Sequence, residues 1–250
     1  MDIRVIIPAA GKGTRLGGDI PKVMRLCGGK PLLETVLREV SFVPPEKTYI
    51  VVGYKKEYVT SYFGDRYNYV EQKVQRGTGD AVAVCSDAFR DYDGCVLVTF
   101  GDMPLFRGTE MRKMCRILEE RGADCVLMTA ENPDLKLWAR IVRGADGNFS
   151  RIVEGKDCTP EQAEIRELFA GAMVFRSRPL FYALPELDTN NVQGEYYLTE
   201  VPELMAKKGL CVVTHMISDG NDLRGVNTPE DLRLCEEELM RRKRTEKSPE

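Results

Sequence analysis

Apolar residues along the chain fall into short continuous runs separated by one-sided helical patterns. Ile3–Ile7 has the length and β-branched content of a buried strand and stops at Pro8. Pro31 suits a first helical turn, and Leu32, Leu33, Val36, Leu37 and Val40 mark one apolar helix face. Tyr49–Val52 reads as a second strand ended by Gly53, Lys55–Tyr62 as a short helix and Tyr67–Glu71 as a third strand. Cys95–Phe100 is the most apolar strand of the chain. Met111, Met114, Cys115 and Leu118 give Glu110–Glu120 a core-facing stripe, and Asp124–Ala130 is a further strand. Beyond residue 130 the pattern predicts shorter strands with longer connections, then a strand at Cys211–Ile217. Thr228-Pro-Glu-Asp231 is a capping box that opens a last helix, with Leu232, Cys235 and Leu239 on its core face. Arg241–Arg244 suits the end of that helix dipole, and the last six residues are expected to fray. Strands alternating with helices predict an α/β chain: a mainly parallel sheet, helices on both faces, ligands at the carboxyl ends of the strands.

The candidate chemistry sits at those strand ends. Pro8, Ala9 and Ala10 lead from the first strand into Gly11, Gly13, Gly17 and Gly18. Glycines let backbone N–H groups approach an anion closely, and Arg15 and Lys22 add full positive charges beside them. The spacing is neither the dinucleotide fingerprint nor a Walker loop, so the reading is a polyphosphate cradle of another kind. After the third strand come Gln72, Gln75, Gly77 and Thr78. A primary amide can donate and accept at a pyrimidine edge, and both Gln72 and Gln75 are candidates. Thr78 could equally cap the helix that follows. Gly101-Asp102 ends the most apolar strand, where a carboxylate needs a cation or a capping role to offset desolvation. Magnesium, which takes hard oxygen ligands together with phosphates and waters, makes Asp102 the best metal-ligand candidate.

Composition narrows the classes. Acidic and basic residues nearly balance, 39 against 36, so nothing supports a nucleic-acid partner. The eight cysteines include no Cys-x-x-Cys pair and read as reduced, mostly core thiols. No apolar stretch reaches the ~20 residues that span a bilayer, and the N-terminus lacks a signal-peptide pattern. A cytoplasmic protein with no membrane partner is expected. The single histidine, His215, rules out a multi-histidine metal site within the chain and reads as a strand residue.

PAAGKGTRL at 8–16, followed by Ile20-Pro-Lys22-Val-Met, resembles the signature of the sugar-1-phosphate nucleotidyltransferases, and in particular the uridylyltransferase domain of bacterial N-acetylglucosamine-1-phosphate uridylyltransferases. Further matches follow in order as far as about residue 230. The resemblance implies a Rossmann-like nucleotidyltransferase domain over 1–228, with 130–217 contributing sugar-binding elements and 229–250 forming a C-terminal helix and tail. It implies Arg15, Lys22 and Asp102 as catalytic residues, and Pro8 to Gly11, Gly13, Gln72, Gly77, Thr78 and Gly101 as nucleotide-binding. It assigns Glu154 and Thr199 to the sugar and Asp102 with Asn227 to Mg2+. Phe100 stands where the family has Tyr. Leu137-Trp-Ala139-Arg-Ile replaces Gly-Tyr-Gly-Arg-Ile, and Phe169-Ala-Gly171 replaces Asn-Thr-Gly, both in the sugar pocket. No hexapeptide repeat occurs, so an acetyltransferase activity is not implied. The implied reaction joins UTP and a sugar 1-phosphate, by default N-acetylglucosamine 1-phosphate, into a UDP-sugar and pyrophosphate. Alternatives are another sugar phosphate, CTP or dTTP, or a non-catalytic sugar-nucleotide sensor.

Overall fold

The computed structural model describes residues 1–246. Eleven strands are formed: β1 (Ile3–Pro8), β2 (Leu26–Cys27), β3 (Lys30–Pro31), β4 (Thr48–Val52), β5 (Asn68–Glu71), β6 (Cys95–Val98), β7 (Cys125–Glu131), β8 (Arg140–Arg143), β9 (Phe149–Val153), β10 (Glu167–Arg176) and β11 (Val212–Met216). The helices are α1 (Leu32–Glu39), α2 (Glu57–Phe63), α3 (Thr78–Ala83), α4 (Ser86–Phe89), α5 (Gly108–Glu120), α6 (Pro160–Ala163), α7 (Ser177–Ala183), α8 (Val201–Lys207) and α9 (Pro229–Glu246).

The main sheet has the order β11-β7-β10-β6-β1-β4-β5, with the β8–β9 hairpin attached to β10. β1 pairs in parallel with β4 and β6, β4 with β5, and β7 with β11. β10 runs antiparallel to both β6 and β7, so it is the one reversed strand along that path. The expected α/β architecture is therefore present, with a reversed strand at its centre. Period-2 alternation divides the core between the two faces. Val5, Ile7, Cys95 and Leu97 join α1, α2 and α5 on one side, whereas Ile6, Val96 and Val98 join α3, α4, α7 and α8 on the other. A smaller cluster of Cys27, Leu32, Leu105, Val226 and Cys235 seats α9.

The region beyond residue 130 departs from the expected short strands. β8 and β9 are short, but β10 has ten residues and is among the most buried elements of the chain. Its run Leu-Phe-Ala-Gly-Ala-Met-Val-Phe carries small residues at its middle and packs on both faces, so it shows neither alternation nor a long branched run. Between Phe169 and Met173 its pairing with β7 shifts register. Gly171 lies there at φ 82°, where a Cβ would meet the Phe106 ring at 3.3 Å and the Met103 methyl at 3.4 Å. This bulge lets β10 pass close under the loop that carries Asp102.

His215 is a strand residue of β11, as expected, and its Nε2 lies 2.7 Å from Glu110 Oε2. All eight cysteines are free. No helix among the described residues is long and apolar enough to cross a membrane. α9 runs through Glu246, so the expected fraying does not begin at residue 245; residues 247–250 lie outside the described residues.

Candidate active site

Three parallel strands end side by side and their exit loops are joined. The Gly101 N–H donates to the Pro8 carbonyl at 3.2 Å, Ala9 N–H to Val51 O at 2.8 Å and Tyr54 N–H to Ala10 O at 3.0 Å. Beyond Pro8 the chain turns through Gly13 at φ 70°, and Thr14–Leu16 forms one 3-10 turn that carries Arg15 outward. A Cβ at Gly13 would stand 2.7 Å from the Lys22 Cβ, so the loop folds directly onto the stem of Lys22. The Lys22 N–H donates back to Gly11 O at 3.4 Å, and Val23 and Met24 bury beside it.

Four side chains converge here. The Lys22 ammonium pairs with Asp102 Oδ2 and donates to Asn227 Oδ1 at 2.7 Å. Arg15 Nη2 donates to the same amide oxygen at 3.1 Å. The two strand-end segments are also joined through their backbones, since Val226 N–H donates to Asp102 O at 2.9 Å. Asn227 is fixed by the predicted capping box: Asp231 Oδ2 accepts from the N–H groups of Asn227 and Thr228, and Thr228 Oγ1 accepts from Asp231 N–H. The structure thus brings together Arg15, Lys22, Asp102 and Asn227, which are far apart in sequence.

Asp102 and Asn227 offer a carboxylate and an amide oxygen to one point. This hard-oxygen pair fits a magnesium ion that completes its shell with phosphate oxygens and water. No group of three or more His, Cys, Asp or Glu side chains among the described residues is arranged to hold a metal by itself.

The residues read as base-binding divide differently. Gln72 is buried, and its Nε2 donates to Asp80 Oδ2 at 2.7 Å and to Gly77 O at 3.2 Å. Asp80 is itself held by Arg76 at 2.6 Å, so Gln72 braces its own loop with its amide N–H groups. Gln75 is exposed, and its Nε2 would lie 2.7 Å from a Cβ at Gly53, itself beside Ala10. Thr78 Oγ1 accepts from Leu198 N–H at 3.0 Å, and a Cβ at Gly77 would strike Tyr196 O at 2.5 Å. Gly77 and Thr78 therefore dock the 195–200 segment.

On the other side of that segment lies a cavity of about 480 Å3 lined by Glu154 and Thr199, together with Asp157, Asn191, Tyr197 and Glu200. The Thr199 hydroxyl donates to Glu154 Oε1 at 2.8 Å. Burial pushes the Glu154 carboxyl up from the usual range, against the Thr199 bond, which lowers it. The Tyr197 hydroxyl and Asp157 Oδ2 are buried without a protein partner. In the sequence Asp157 and Asn191 fall in the segments 153–157 and 190–200 that resemble sugar-binding elements of the family, and Tyr197 could equally be a core residue, but none of the three stands out as a site residue there. Val192 N–H donates to Asp157 Oδ1 at 2.9 Å, and Asn191 Nδ2 donates to Glu195 O at 2.7 Å. Ala139 and Phe169 do not line this cavity. They lie in an apolar cluster with Leu198 and Ile152, of which Ile152 does line the cavity, and Phe169 N–H donates to Ala139 O at 2.9 Å.

Residues 5–206 match the MobA-like NTP transferase domain. The bifunctional protein GlmU of Latilactobacillus sakei is 38% identical over 222 residues, covering 89% of this chain and 48% of that protein. The protein of the same name from Streptococcus mutans is 37% identical over 237 residues, 95% of this chain and 52% of that one. The chain thus spans about half the length of the curated relatives it matches. A UDP-glucose pyrophosphorylase complexed with UDP-glucose superposes at a TM-score of 0.80 over 97% of this chain and 100% of its own, at 18% identity, a likeness of fold.

Proposed function

The chain belongs to the MobA-like NTP transferase family, and on that premise we propose that it joins UTP and a sugar 1-phosphate into a UDP-sugar and pyrophosphate. The observation that carries this reading is the meeting of Arg15, Lys22, Asp102 and Asn227 beside the glycine loop. Two cations and a hard-oxygen pair at the mouth of a backbone N–H cradle are the parts that phosphoryl-transfer chemistry requires. Relatives that carry the name GlmU, and a fold shared with a UDP-glucose pyrophosphorylase, support a uridylyltransferase over other members of the family.

The sugar phosphate oxygen attacks the α-phosphorus of UTP in line. A new P–O bond forms as the bond to the β-phosphate oxygen breaks, and pyrophosphate leaves with that electron pair. No covalent intermediate is required, and the phosphate nucleophile is already ionised. Arg15 and Lys22 neutralise charge on the phosphates, and the glycine loop orients them, so catalysis is positioning plus charge stabilisation. Asp102 and Asn227 would hold Mg2+, which when bound would supply positive charge to offset that of the phosphates. Gln75, exposed beside Ala10, and Gln72, through the side-chain oxygen that its inward bonds leave over, are the amides proposed to read the base. Glu154 accepts from sugar hydroxyls, with Thr199 setting its orientation.

N-acetylglucosamine 1-phosphate is the proposed sugar phosphate, in keeping with the GlmU relatives. One observation favours a second reading, a different hexose 1-phosphate: Phe169 and Ala139, which replace an amide and a glycine of the resembled family, join the apolar cluster of the cavity-lining Ile152. The test is pyrophosphate release with UTP, CTP and dTTP against a panel of sugar 1-phosphates. Release should be fastest with UTP and N-acetylglucosamine 1-phosphate and should require a divalent cation. Equal rates with CTP would overturn the base assignment, a faster hexose phosphate would promote the second reading, and no release with any pair would overturn the enzyme.

A further inference from the structure

Lys22 makes two contacts that a phosphate-binding lysine does not need. Its ammonium bridges Asp102 Oδ2 and Asn227 Oδ1, oxygens that come from the end of β6 and the entry to α9. We propose that Lys22 occupies the place of the divalent cation, and that metal loading requires its ammonium to leave both oxygens for a phosphate of the nucleotide. The proposal rests on the reading of Asp102 and Asn227 as the metal's protein ligands.

An ammonium is a compact cation with three donors and no acceptor, so it can neutralise one oxygen and satisfy another as a small metal ion does. Both oxygens are then engaged before any metal arrives. Asn227 Oδ1 also accepts from Arg15, so it receives two cationic donors at 2.7 and 3.1 Å. A divalent ion on the same two oxygens would stand within a few ångströms of the Lys22 charge. The Lys22 and Asp102 side chains are only 15% and 21% exposed, so water screens that repulsion poorly.

The local backbone leaves the ammonium free to move while its stem is held. Lys22 N–H is tied to Gly11 O, Gly13 presses on its Cβ, and the Lys22–Met24 turn is anchored by two buried residues. Rotation about the side-chain bonds is the available motion, and the nearest anion site is the loop to which its own backbone is bonded. The free protein is therefore neutralised at its metal site and binds metal poorly. A nucleotide that draws Lys22 away exposes both ligands, and by linkage metal and nucleotide then strengthen each other's binding.

Mn2+ titration followed by electron paramagnetic resonance, on the nucleotide-free protein, tests this without turnover. Lys22→Met should bind Mn2+ at least about tenfold more tightly than wild type, equivalent to ~1.4 kcal/mol. Lys22→Arg keeps the charge and should stay weak. Asp102→Asn introduced into Lys22→Met should remove the gain. An affinity in Lys22→Met no higher than wild type, with binding still dependent on Asp102, overturns the proposal alone; no Mn2+ binding at millimolar concentration overturns it together with the metal-site reading. Binding that ignores Asp102→Asn overturns the metal-site reading and this inference with it. Circular dichroism checks folding, and Lys22→Gln repeats the test if Lys22→Met is unfolded.

Discussion

Arg242, four residues from the end of the described chain, donates from Nη1 to the main-chain oxygen of Leu105, three residues beyond Asp102, at 2.8 Å. The same guanidinium pairs with the buried carboxylate of Asp222, five residues before Asn227, and with Glu238 on its own helix at 2.7 Å. Arg107 completes the set, 3.0 Å from the other Asp222 oxygen. α9 thus holds the segments that deliver Asp102 and Asn227, although it lies outside residues 5–206 that match the transferase family. Arg242→Met leaves Asp222 with Arg107 alone. Loss of one partner of a buried ion pair typically costs ~3 kcal/mol or more. A clear fall in the urea midpoint and a weaker response of turnover to Mg2+ are expected; an unchanged midpoint would show that α9 docks through its apolar face alone.

Asp102→Ala should lower turnover at least about a hundredfold, since charge stabilisation at a transferring phosphoryl group is worth several kcal/mol. The fold should survive, because Asp102 belongs to an exit loop and its side chain is partly exposed. Pyrophosphate release and circular dichroism on the same preparation decide the point, and near-normal release from a folded variant would remove Asp102 from the site.

Gly13→Ala tests whether the loop positions Lys22. The left-handed backbone at φ 70° costs a side chain ~1–2 kcal/mol, and the added methyl would fall 2.7 Å from Lys22 Cβ. A lower melting temperature and a fall in kcat larger than any rise in KM for UTP are expected. Gly17→Ala is the control, since Gly17 has the same left-handed backbone, φ 68°, but a Cβ there meets nothing within 4 Å. Equal kinetics for the two variants would contradict the contact.

Burial raises the Glu154 carboxyl above its ordinary value near 4.5, so the folded chain holds that proton more tightly than the unfolded chain. Such a group contributes stability while it is protonated and loses that contribution as pH rises through its raised folded value. Glu154→Gln should therefore raise the melting temperature more at pH 7 than at pH 4. KM for the sugar 1-phosphate should rise at the same time, and a gain in stability with no change in KM would remove Glu154 from the sugar site.

Phe169→Asn with Ala139→Gly should move the ratio of kcat/KM toward N-acetylglucosamine 1-phosphate over glucose 1-phosphate. An apolar contact discriminates weakly, whereas a hydrogen-bonding group rejects a substrate that lacks the partner. Phe169 is 5% exposed, so the change should also cost about 3–5 kcal/mol of stability. An unchanged ratio would show that these two positions do not select the sugar.

The strand ends were legible because glycine, proline and a charge after an apolar run have few other uses. The glycine loop, Lys22 and Asp102 were located from those signals. Asn227 was not, because an amide just before a helix resembles any cap; only the family resemblance marked it, and the structure places it on Lys22. The orientation of Gln72 was not legible for a related reason, since residue type says what an amide can bond but not which way it faces. Its inward turn is set by Asp80, buried by Arg76 at i,i+4 spacing that the sequence does contain. β10 escaped notice because Ala170, Gly171 and Ala172 interrupt its branched residues at the bulge where it meets Phe106.

That late, reversed strand also governs the order in which the sheet can close. β6 pairs with β1 through Ile3 and Cys95, but its opposite edge waits for Met173–Arg176. During synthesis, or in any fragment that ends before β10, Cys95–Val98 presents a fully apolar row with its N–H and C=O groups unmatched. An edge of that kind recruits strands from other chains, and a pairing this distant in sequence forms slowly. Truncations within residues 130–165 should therefore collect as insoluble aggregates, whereas chains extended through β10 should refold from denaturant.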